Sequence, residues 1–213
     1  MKKVINRNTN CIDIGCHKGE ILDIMLHLAP EGKHFAFEPI PLLFNFLENK
    51  YGKNSTIYPY ALSDKNGFST FNYVKNAPAY SGIKKRKYDI DKPEIEEIKV
   101  ELNTLDEVIP SNIQIDFIKI DVEGGEFGVL KGGKKLLVKY KPTIIFECGL
   151  GASDFYGVKP EEIYNFMTKE IGLNISLLKS FLKKSLPLTL KEFEYYYSTN
   201  KEYYFIAHNF DWS

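Results

Sequence analysis

The segment Cys11-Ile12-Asp13-Ile14-Gly15-Cys16-His17-Lys18-Gly19-Glu20 sets the architecture of the chain. A short apolar run that carries an acid near its end predicts a buried strand, and a helical pattern opens at Glu20 after the glycine loop. Glycines let the backbone approach a ligand closely, and a helix N-terminus presents free N–H groups. The segment therefore predicts a loop that cradles an anionic or zwitterionic small molecule, with a plain structural turn as the alternative.

The spacing of the glycines in this loop restricts the class of ligand that it can bind. It is D-x-G-x-x-x-G, which differs from the G-x-G-x-x-G of dinucleotide folds and lacks the Lys-Ser/Thr of a P-loop. An acid directly before the loop would repel a pyrophosphate, but it would accept hydrogen bonds from a ligand ammonium such as that of a methionine moiety. Phosphate is therefore disfavoured as the primary ligand.

Apolar runs that alternate with helical patterns predict an α/β fold. Strands are expected at Cys11–Ile14, His34–Phe37, Thr56–Tyr60, Asp116–Ile120 and Thr143–Phe146. Helices are expected at Glu20–Leu28, Leu42–Tyr51, Leu105–Ile109 and Glu126–Tyr140, the last with a break at Gly132-Gly133. Because this alternation requires right-handed crossovers, the sheet should be doubly wound, mostly parallel and covered on both faces.

The C-terminal third should complete the sheet. A helix is predicted at Pro160–Glu170 and a strand at Asn174–Leu178. Phe193–Tyr197 and Glu202–Ala207, which flank a polar turn, predict an antiparallel pair that closes the C-terminal edge.

One stretch departs from the alternation. Residues 65–102 predict a β insertion, with a strand at Phe68–Tyr73, followed by a mobile, lysine-rich segment at 75–93. That segment could act as a lid or could be a plain surface excursion. The sequence shows neither a repeat nor a linker, so residues 1–213 are expected to form one domain.

Composition excludes several classes of protein. Lysines and arginines number 28 and equal the aspartates and glutamates, so the chain lacks the overall basic charge typical of a nucleic-acid binder. Its three cysteines show no metal-ligand spacing. The first residues contain no apolar stretch long enough for a signal peptide, and no apolar run is long enough to span a membrane. A cytoplasmic protein that acts on a small molecule is expected.

Further acids follow the predicted strands. Glu38 comes directly after His34–Phe37, beside the first loop, where a carboxylate can accept hydrogen bonds from both hydroxyls of a ribose. The segment Tyr60–Asp64 could contact an adenine edge through backbone near Ala61 and Leu62 and through the Ser63 hydroxyl, or could form a simple turn.

A third group of acids predicts the reactive centre. Asp121, Glu123 and Glu147 lie at the ends of two other predicted strands and should meet at the same edge of the sheet. Such acids can orient a substrate hydroxyl, accept its proton, hold a divalent metal or cap a helix. A metal is not expected, since no His or second acidic cluster stands at a suitable spacing.

Together these motifs resemble the FkbM family of S-adenosylmethionine-dependent methyltransferases over nearly the whole chain. The resemblance rests on Asp13–Gly19, Phe37-Glu38-Pro39, Ala61–Asp64, Thr104-Leu105-Asp106 and Phe117–Gly124, with Glu126 and Val129–Gly132 after it. Cys16 and His17 depart from the family, which usually has a small residue and Asn there.

The resemblance implies a class I methyltransferase fold with a seven-stranded sheet, S-adenosylmethionine as cofactor, S-adenosylhomocysteine as product, and O-methylation of a sugar, glycan or natural product. Asp13 and Gly15 would hold the methionine end, Glu38 the ribose, and Leu62 and Ser63 the adenine side. The full predicted cofactor set is Asp13, Gly15, Cys16, His17, Gly19, Glu38, Pro39, Ala61, Leu62, Ser63 and Asp121.

Roles in catalysis are assigned in order of position. Asp121 is the first candidate to orient or deprotonate the acceptor hydroxyl, with Glu123 and Glu147 behind it and His17 as a weaker alternative. Tyr80 and Glu123 are the candidate acceptor contacts. Two other classes stay open, a nicotinamide-dependent oxidoreductase and a catalytically silent nucleoside-binding module.

Overall fold

A computed structural model describes residues 1–86, Tyr88 and residues 90–212. Its strands are β1 Cys11–Ile14, β2 His34–Phe37, β3 Thr56–Tyr58, β4 Tyr60–Leu62, β5 Gly67–Val74, β6 Ile95–Asn103, β7 Phe117–Ile120, β8 Thr143–Glu147, β9 Asn174–Leu177 and β10 Tyr204–His208. Its α-helices are α1 Glu20–Leu28, α2 Pro41–Tyr51, α3 Leu105–Val108, α4 Glu126–Gly132, α5 Lys134–Tyr140, α6 Pro160–Asn165, α7 Leu178–Leu182 and α8 Leu190–Thr199. A π-helical turn, Phe166–Ile171, continues α6.

The predicted doubly wound, mostly parallel seven-stranded sheet is confirmed. Its strand order is β3-β2-β1-β7-β8-β10-β9, and the first five strands are parallel. In register, Ile14 lies beside Phe37 on one side and beside Ile120 on the other. The residues that follow these three strands therefore leave the sheet at the same edge.

Helices cover both faces of this sheet, as the alternation requires. On one face, Leu22 of α1 and Leu47 of α2 are fully buried against β2 and β3. On the other, the large core includes Leu130, Leu137 and Phe193, which lie on α4, α5 and α8. Among the helices in the described part of the chain, none combines the length and apolar character needed to cross a bilayer.

The predicted strand at Phe193–Tyr197 is wrong, because these residues lie in α8. Thr189 begins the helix with a capping box, in which Glu192 N–H donates to Thr189 Oγ1 and Thr189 N–H donates to Glu192 Oε2. Phe193 and Tyr197, four residues apart, are buried on one side of it. Helical spacing therefore outweighs the β-propensity of the aromatic run.

The antiparallel strand of the predicted C-terminal edge is β10, and it is not the outermost strand. It pairs antiparallel with β8 on one side and with β9 on the other. β9 therefore forms the edge, and β10 lies inside the sheet.

The region 65–102 forms most of a second, three-stranded sheet of order β4-β6-β5. β5 and β6 pair antiparallel along their length, and Pro59 separates β3 from β4, which had been predicted as one strand. Lys87 and Asp89, which belong to the segment predicted as mobile, lie outside the described residues.

Candidate functional site

The glycine loop is held against two neighbouring strands. Gly15 and Cys16 N–H both donate to the Phe37 carbonyl at 3.1 Å, and Asp121 N–H donates to the Ile14 carbonyl at the same distance. Gly15 has a φ of +73°, and a Cβ there would lie 1.8 Å from the Asp121 carbonyl oxygen. Only glycine fits this turn, because both the backbone conformation and the close approach exclude a side chain.

Glu38 is buried beside the loop, with 4% of its surface exposed. It accepts hydrogen bonds from His17 N–H at 2.9 Å and from Ile40 N–H at 3.0 Å. Burial raises the pKa of Glu38 to about 7, although these two donors oppose the rise. The carboxyl is thus fixed in position and keeps lone pairs for a ligand's hydroxyl groups.

A cavity with about 610 Å³ of empty space opens over this edge, and apolar side chains such as Ile40 and Phe71 form part of its wall. Eight predicted site residues line it: Gly15, His17, Glu38, Pro39, Ala61, Leu62, Asp121 and Glu123. Six do not: Asp13, Cys16, Gly19, Ser63, Tyr80 and Glu147. The structure thus brings together most of the predicted nucleoside site and places the rest behind its wall or beside it.

Two of the outlying residues support the loop or the strand behind it. Gly19, at φ +82°, lies against Tyr51, whose hydroxyl donates to the Gly19 carbonyl at 3.2 Å. Ser63 faces α4, where a Cβ on Gly132 would lie 2.0 Å from the Ser63 carbonyl oxygen.

A second hollow, with about 1040 Å³ of empty space, adjoins the cavity. It shares Gly15, His17, Ala79, Asp121 and Glu123 with the cavity, and it also contacts Cys16, Glu20, Lys119 and Tyr204. Asp121 therefore stands at the junction of the two spaces. Burial lowers the pKa of His17, so its ring favours the neutral form here.

Asp13 is fully buried and lines neither space. Its nearest cation is Lys119, whose Nζ lies 3.4 Å from Asp13 Oδ1, longer than an ordinary hydrogen bond. Burial raises the pKa of Asp13, and Lys119 opposes that rise. The acid predicted to meet the ligand thus contacts a lysine of the chain.

Asp121 and Glu147 form the acidic centre of the site. The Tyr204 hydroxyl donates to Asp121 Oδ2 at 3.3 Å, and Lys119 Nζ lies 3.7 Å from the same oxygen. Burial, with the Asp121 carboxylate next, raises the pKa of Glu147 to about 8. At neutral pH, Glu147 therefore favours the protonated form beside Asp121.

Glu123 is neutralised by the insertion. Its carboxylate forms an ion pair with Arg86, and both side chains are largely buried. The Arg86 guanidinium also lies over the Tyr80 ring, 5.1 Å from its centroid. Tyr80 thus lies beside the site, in contact with Arg86 but outside the cavity wall, and Glu123 ties Arg86 of the insertion to the site.

A group of three or more His, Cys, Asp or Glu side chains arranged to hold a metal ion is absent from the described residues. The acids of the site are instead paired with Lys119, Arg86 and backbone N–H groups.

Comparison with known proteins settles the family. The model of the methyltransferase FkbM domain matches residues 13–172, which is more than half of the chain. The chain belongs to the FkbM methyltransferase family. The resemblance seen in the sequence is thus confirmed.

A curated relative of the FkbM chain is also a methyltransferase. The 2-O-methyltransferase NoeI of Sinorhizobium fredii is 29% identical over 147 residues, which make up 60% of this chain and 58% of NoeI. The chain therefore matches little more than half the length of this curated relative.

Solved structures support the FkbM fold. The crystal structure of methyltransferase FkbM from Methylobacillus flagellatus matches 96% of this chain and 44% of its own, with a TM-score of 0.58 and 14% identity. A putative methyltransferase from Streptococcus mutans in complex with SAH matches 98% of this chain and 93% of its own, with a TM-score of 0.50 and 11% identity.

Three residues of this FkbM site were missed by the sequence analysis. Lys119 lies within a quoted motif and, by strand register, opposite Asp13, so alternation along β7 could have revealed it. Tyr204 reaches Asp121 only because β10 pairs with β8, where Tyr204 lies opposite Glu147. Arg86 lies in the irregular insertion, where no periodic pattern indicates its direction.

Proposed function

We propose that the protein is an S-adenosylmethionine-dependent O-methyltransferase that acts on a hydroxyl group of a small-molecule or glycan acceptor. The observation that carries the proposal is Glu38, a buried and rigidly held carboxylate at the end of β2, next to the Gly15 turn. The FkbM assignment supports methyl transfer, and the similarity to a 2-O-methyltransferase supports oxygen as the acceptor atom.

The residues present fit this cofactor. Glu38 would accept hydrogen bonds from the ribose hydroxyls, and the apolar wall at Ala61 and Leu62 would contact the adenine. Gly15 lines the cavity, so the amino-acid end would pass along its backbone. The SAH complex of the related Streptococcus mutans structure is consistent with such a ligand on this fold.

When bound, S-adenosylmethionine supplies a methyl group already activated on a sulfonium. Asp121, at the junction of the two spaces, would orient the acceptor hydroxyl and accept its proton as the new oxygen–carbon bond forms. Tyr204 holds Asp121 Oδ2 from one side, and Lys119 neutralises it from another. Because its raised pKa favours the protonated form at neutral pH, Glu147 is the weaker candidate for this role.

The acceptor would approach the acidic centre from the side of Glu147. A third hollow of about 780 Å³ is lined by Arg86, Glu147, Asn200 and Tyr203, next to the acidic centre. Two segments that line this hollow are joined by Asn200, which accepts a hydrogen bond from Leu150 N–H and donates one to the Leu150 carbonyl. We place the acceptor here, with Tyr80 and Glu123 acting through Arg86. The balanced net charge favours a small acceptor over nucleic acid.

Calorimetric titration tests the proposal, with S-adenosylmethionine, S-adenosylhomocysteine and NAD run in parallel, each with and without magnesium. We expect both sulfur nucleosides to bind and NAD not to bind. A screen of sugars, phenols and RNA with isotopically labelled methyl groups then tests the acceptor class. NAD binding would favour an oxidoreductase, and cofactor binding without transfer to any of these acceptors would favour a silent binding module.

A further inference from the structure

Lys119 is surrounded by oxygen atoms at the mouth of the sheet. Its Nζ donates to the Gly15 carbonyl at 2.7 Å and lies 3.4 Å from the Ile14 carbonyl oxygen. Asp13 Oδ1 lies at 3.4 Å and Asp121 Oδ2 at 3.7 Å. Only the contact with Gly15 has the length of a good hydrogen bond, so the ammonium keeps donor capacity for another acceptor.

The same geometry removes the expected site for a ligand ammonium. The Gly15 carbonyl and the Asp13 carboxylate are the groups that would accept from it, and both already face Lys119. A ligand ammonium placed at those oxygens would lie beside a like charge, which is unfavourable in a partly buried site. Asp13 is also fully buried, whereas the Lys119 side chain is 14% exposed.

Lys119 also faces the space in question. Among the described residues that line the second hollow, it supplies the only lysine or arginine side chain. That hollow begins at the Gly15 turn, where the amino-acid end of the cofactor would leave the nucleoside cavity. Glu20 and Asp121 line the same hollow, so carboxylates for the ammonium of a zwitterion lie in the same space.

We propose that Lys119 binds the α-carboxylate of the cofactor's amino-acid end, and that Asp13 is a positioning residue that holds the Lys119 ammonium in place. The inference rests on the proposed function and refines it, because the charge that the ligand meets behind the glycine loop is positive rather than negative. In this arrangement Asp13, which is fully buried, acts on the ligand only through Lys119.

A series of three ligands tests this in the full chain without any acceptor. S-adenosylhomocysteine carries both charges, its decarboxylated analogue keeps only the ammonium, and methylthioadenosine lacks the whole amino-acid end. For wild-type protein, we expect removal of the carboxylate to weaken binding at least tenfold by calorimetry, because charge-assisted hydrogen bonds have about this effect. Equal or tighter binding of the decarboxylated analogue would overturn the inference without any variant.

Variants then assign the effect to Lys119. In Lys119→Met, S-adenosylhomocysteine should lose at least tenfold in affinity, while the decarboxylated analogue changes less than about threefold. Since Lys119→Met leaves Asp13 unpaired, the double variant Lys119→Met/Asp13→Asn repeats the test with a neutral pair. Lys134→Met is the matched control, because Lys134 forms an exposed ion pair with Glu170 elsewhere on the surface.

Asp13→Asn alone tests the positioning role. The variant should still bind S-adenosylhomocysteine more tightly than its decarboxylated analogue, but the ratio of the two affinities should be smaller than in wild type. A merely structural role of Asp13 would weaken both ligands equally and leave this ratio unchanged. An unchanged ratio in Lys119→Met or in the double variant would overturn the inference. If methylthioadenosine binds but the affinity ratio of S-adenosylhomocysteine to its decarboxylated analogue is the same in wild type and variants, only this inference fails. If wild-type protein binds none of the three ligands, the proposed function is refuted as well.

Discussion

Replacement of Glu38 by Gln should remove the loss of stability that Glu38 causes as pH rises and, at the same time, make the protein a poorer binder of its cofactor. The carboxyl is 4% exposed, and its pKa rises from 4.5 to about 7 on folding. Between these values the folded chain holds a proton that the unfolded chain has released, so stability falls as pH rises through this window. The full cost of ionisation, reached above pH 7, is about 3 kcal/mol.

Gln cannot ionise and so removes that cost, but its side chain has one acceptor atom, so it can accept from His17 N–H or from Ile40 N–H and not from both. The free energy of unfolding of the variant relative to wild type should therefore rise by about 3 kcal/mol between pH 5 and pH 8, or roughly 6–12 °C in Tm for a chain of this size. At pH 5 the wild-type carboxyl is already largely protonated in the folded state, so the variant gains nothing there, and the lost hydrogen bond should lower its Tm by roughly 2–12 °C.

Cofactor binding should change in the opposite direction. A carboxylate that accepts from two ribose hydroxyls contributes about 1.5–3 kcal/mol per charge-assisted bond, so Glu38→Gln should weaken S-adenosylhomocysteine binding by about 10- to 100-fold at pH 8. Wild-type affinity should fall as pH decreases below about 7, because Glu38 then takes up a proton, and the variant should lack this dependence.

Thermal melts and calorimetry at pH 5, 6, 7 and 8 measure both effects. Glu48→Gln, at an exposed position of α2, is the matched control and should change neither stability nor affinity. A Glu38→Gln protein whose stability relative to wild type is the same at pH 5 and pH 8, or that binds the cofactor as tightly as wild type at pH 8, would refute the reasoning.

Three further predictions concern the same edge of the sheet. Gly15→Ala should lower the Tm and abolish measurable cofactor binding by calorimetry, because its Cβ would lie 1.8 Å from the Asp121 carbonyl oxygen. The control is Gly157→Ala, which has a similar φ of +70° but open space around it. This control should lose only about 1–2 kcal/mol of stability through backbone strain. Equal losses in both variants would mean that strain alone acts. Asp121→Asn should reduce methyl transfer to an identified acceptor by about 100-fold or more while S-adenosylhomocysteine affinity changes less than about fivefold; a similar loss in both would make Asp121 a binding residue. Glu126 is buried and accepts hydrogen bonds from Val122 N–H and Gly124 N–H, and desolvation raises its pKa to about 7. Glu126→Gln should therefore reduce the fall in Tm between pH 5 and pH 8. An unchanged fall would contradict the raised pKa of Glu126.

The sequence was sufficient to predict that Gly15, Glu38 and Asp121 meet. Each follows a short apolar run, and parallel strands in a doubly wound sheet release their chains at the same edge. This local pattern was enough to predict the meeting point, because β1, β2 and β7 have the same length and pair from their first residues onward.

What escaped prediction depended on contacts between distant parts of the chain. Tyr204 contacts Asp121 because β10 inserts beside β8, a register that no local pattern specifies. Phe193 and Tyr197 have strong β-propensity, and only their burial against the sheet shows why they are helical. Asp13 illustrates a third limit, since the sequence shows an acid before a glycine loop but not the lysine on the next strand that faces it.

The position of β10 inside the sheet also has a consequence for synthesis. A nascent chain that has left the ribosome through β9 already contains Gly15, Glu38 and Asp121, but β8 then has no neighbour on its outer side. Pairing of β8 with β9 through β10 waits until Tyr204–His208 emerges. The glycine turn and Glu38 thus precede β10 in the chain, and a chain that stops after β9 lacks the hydroxyl that donates to Asp121.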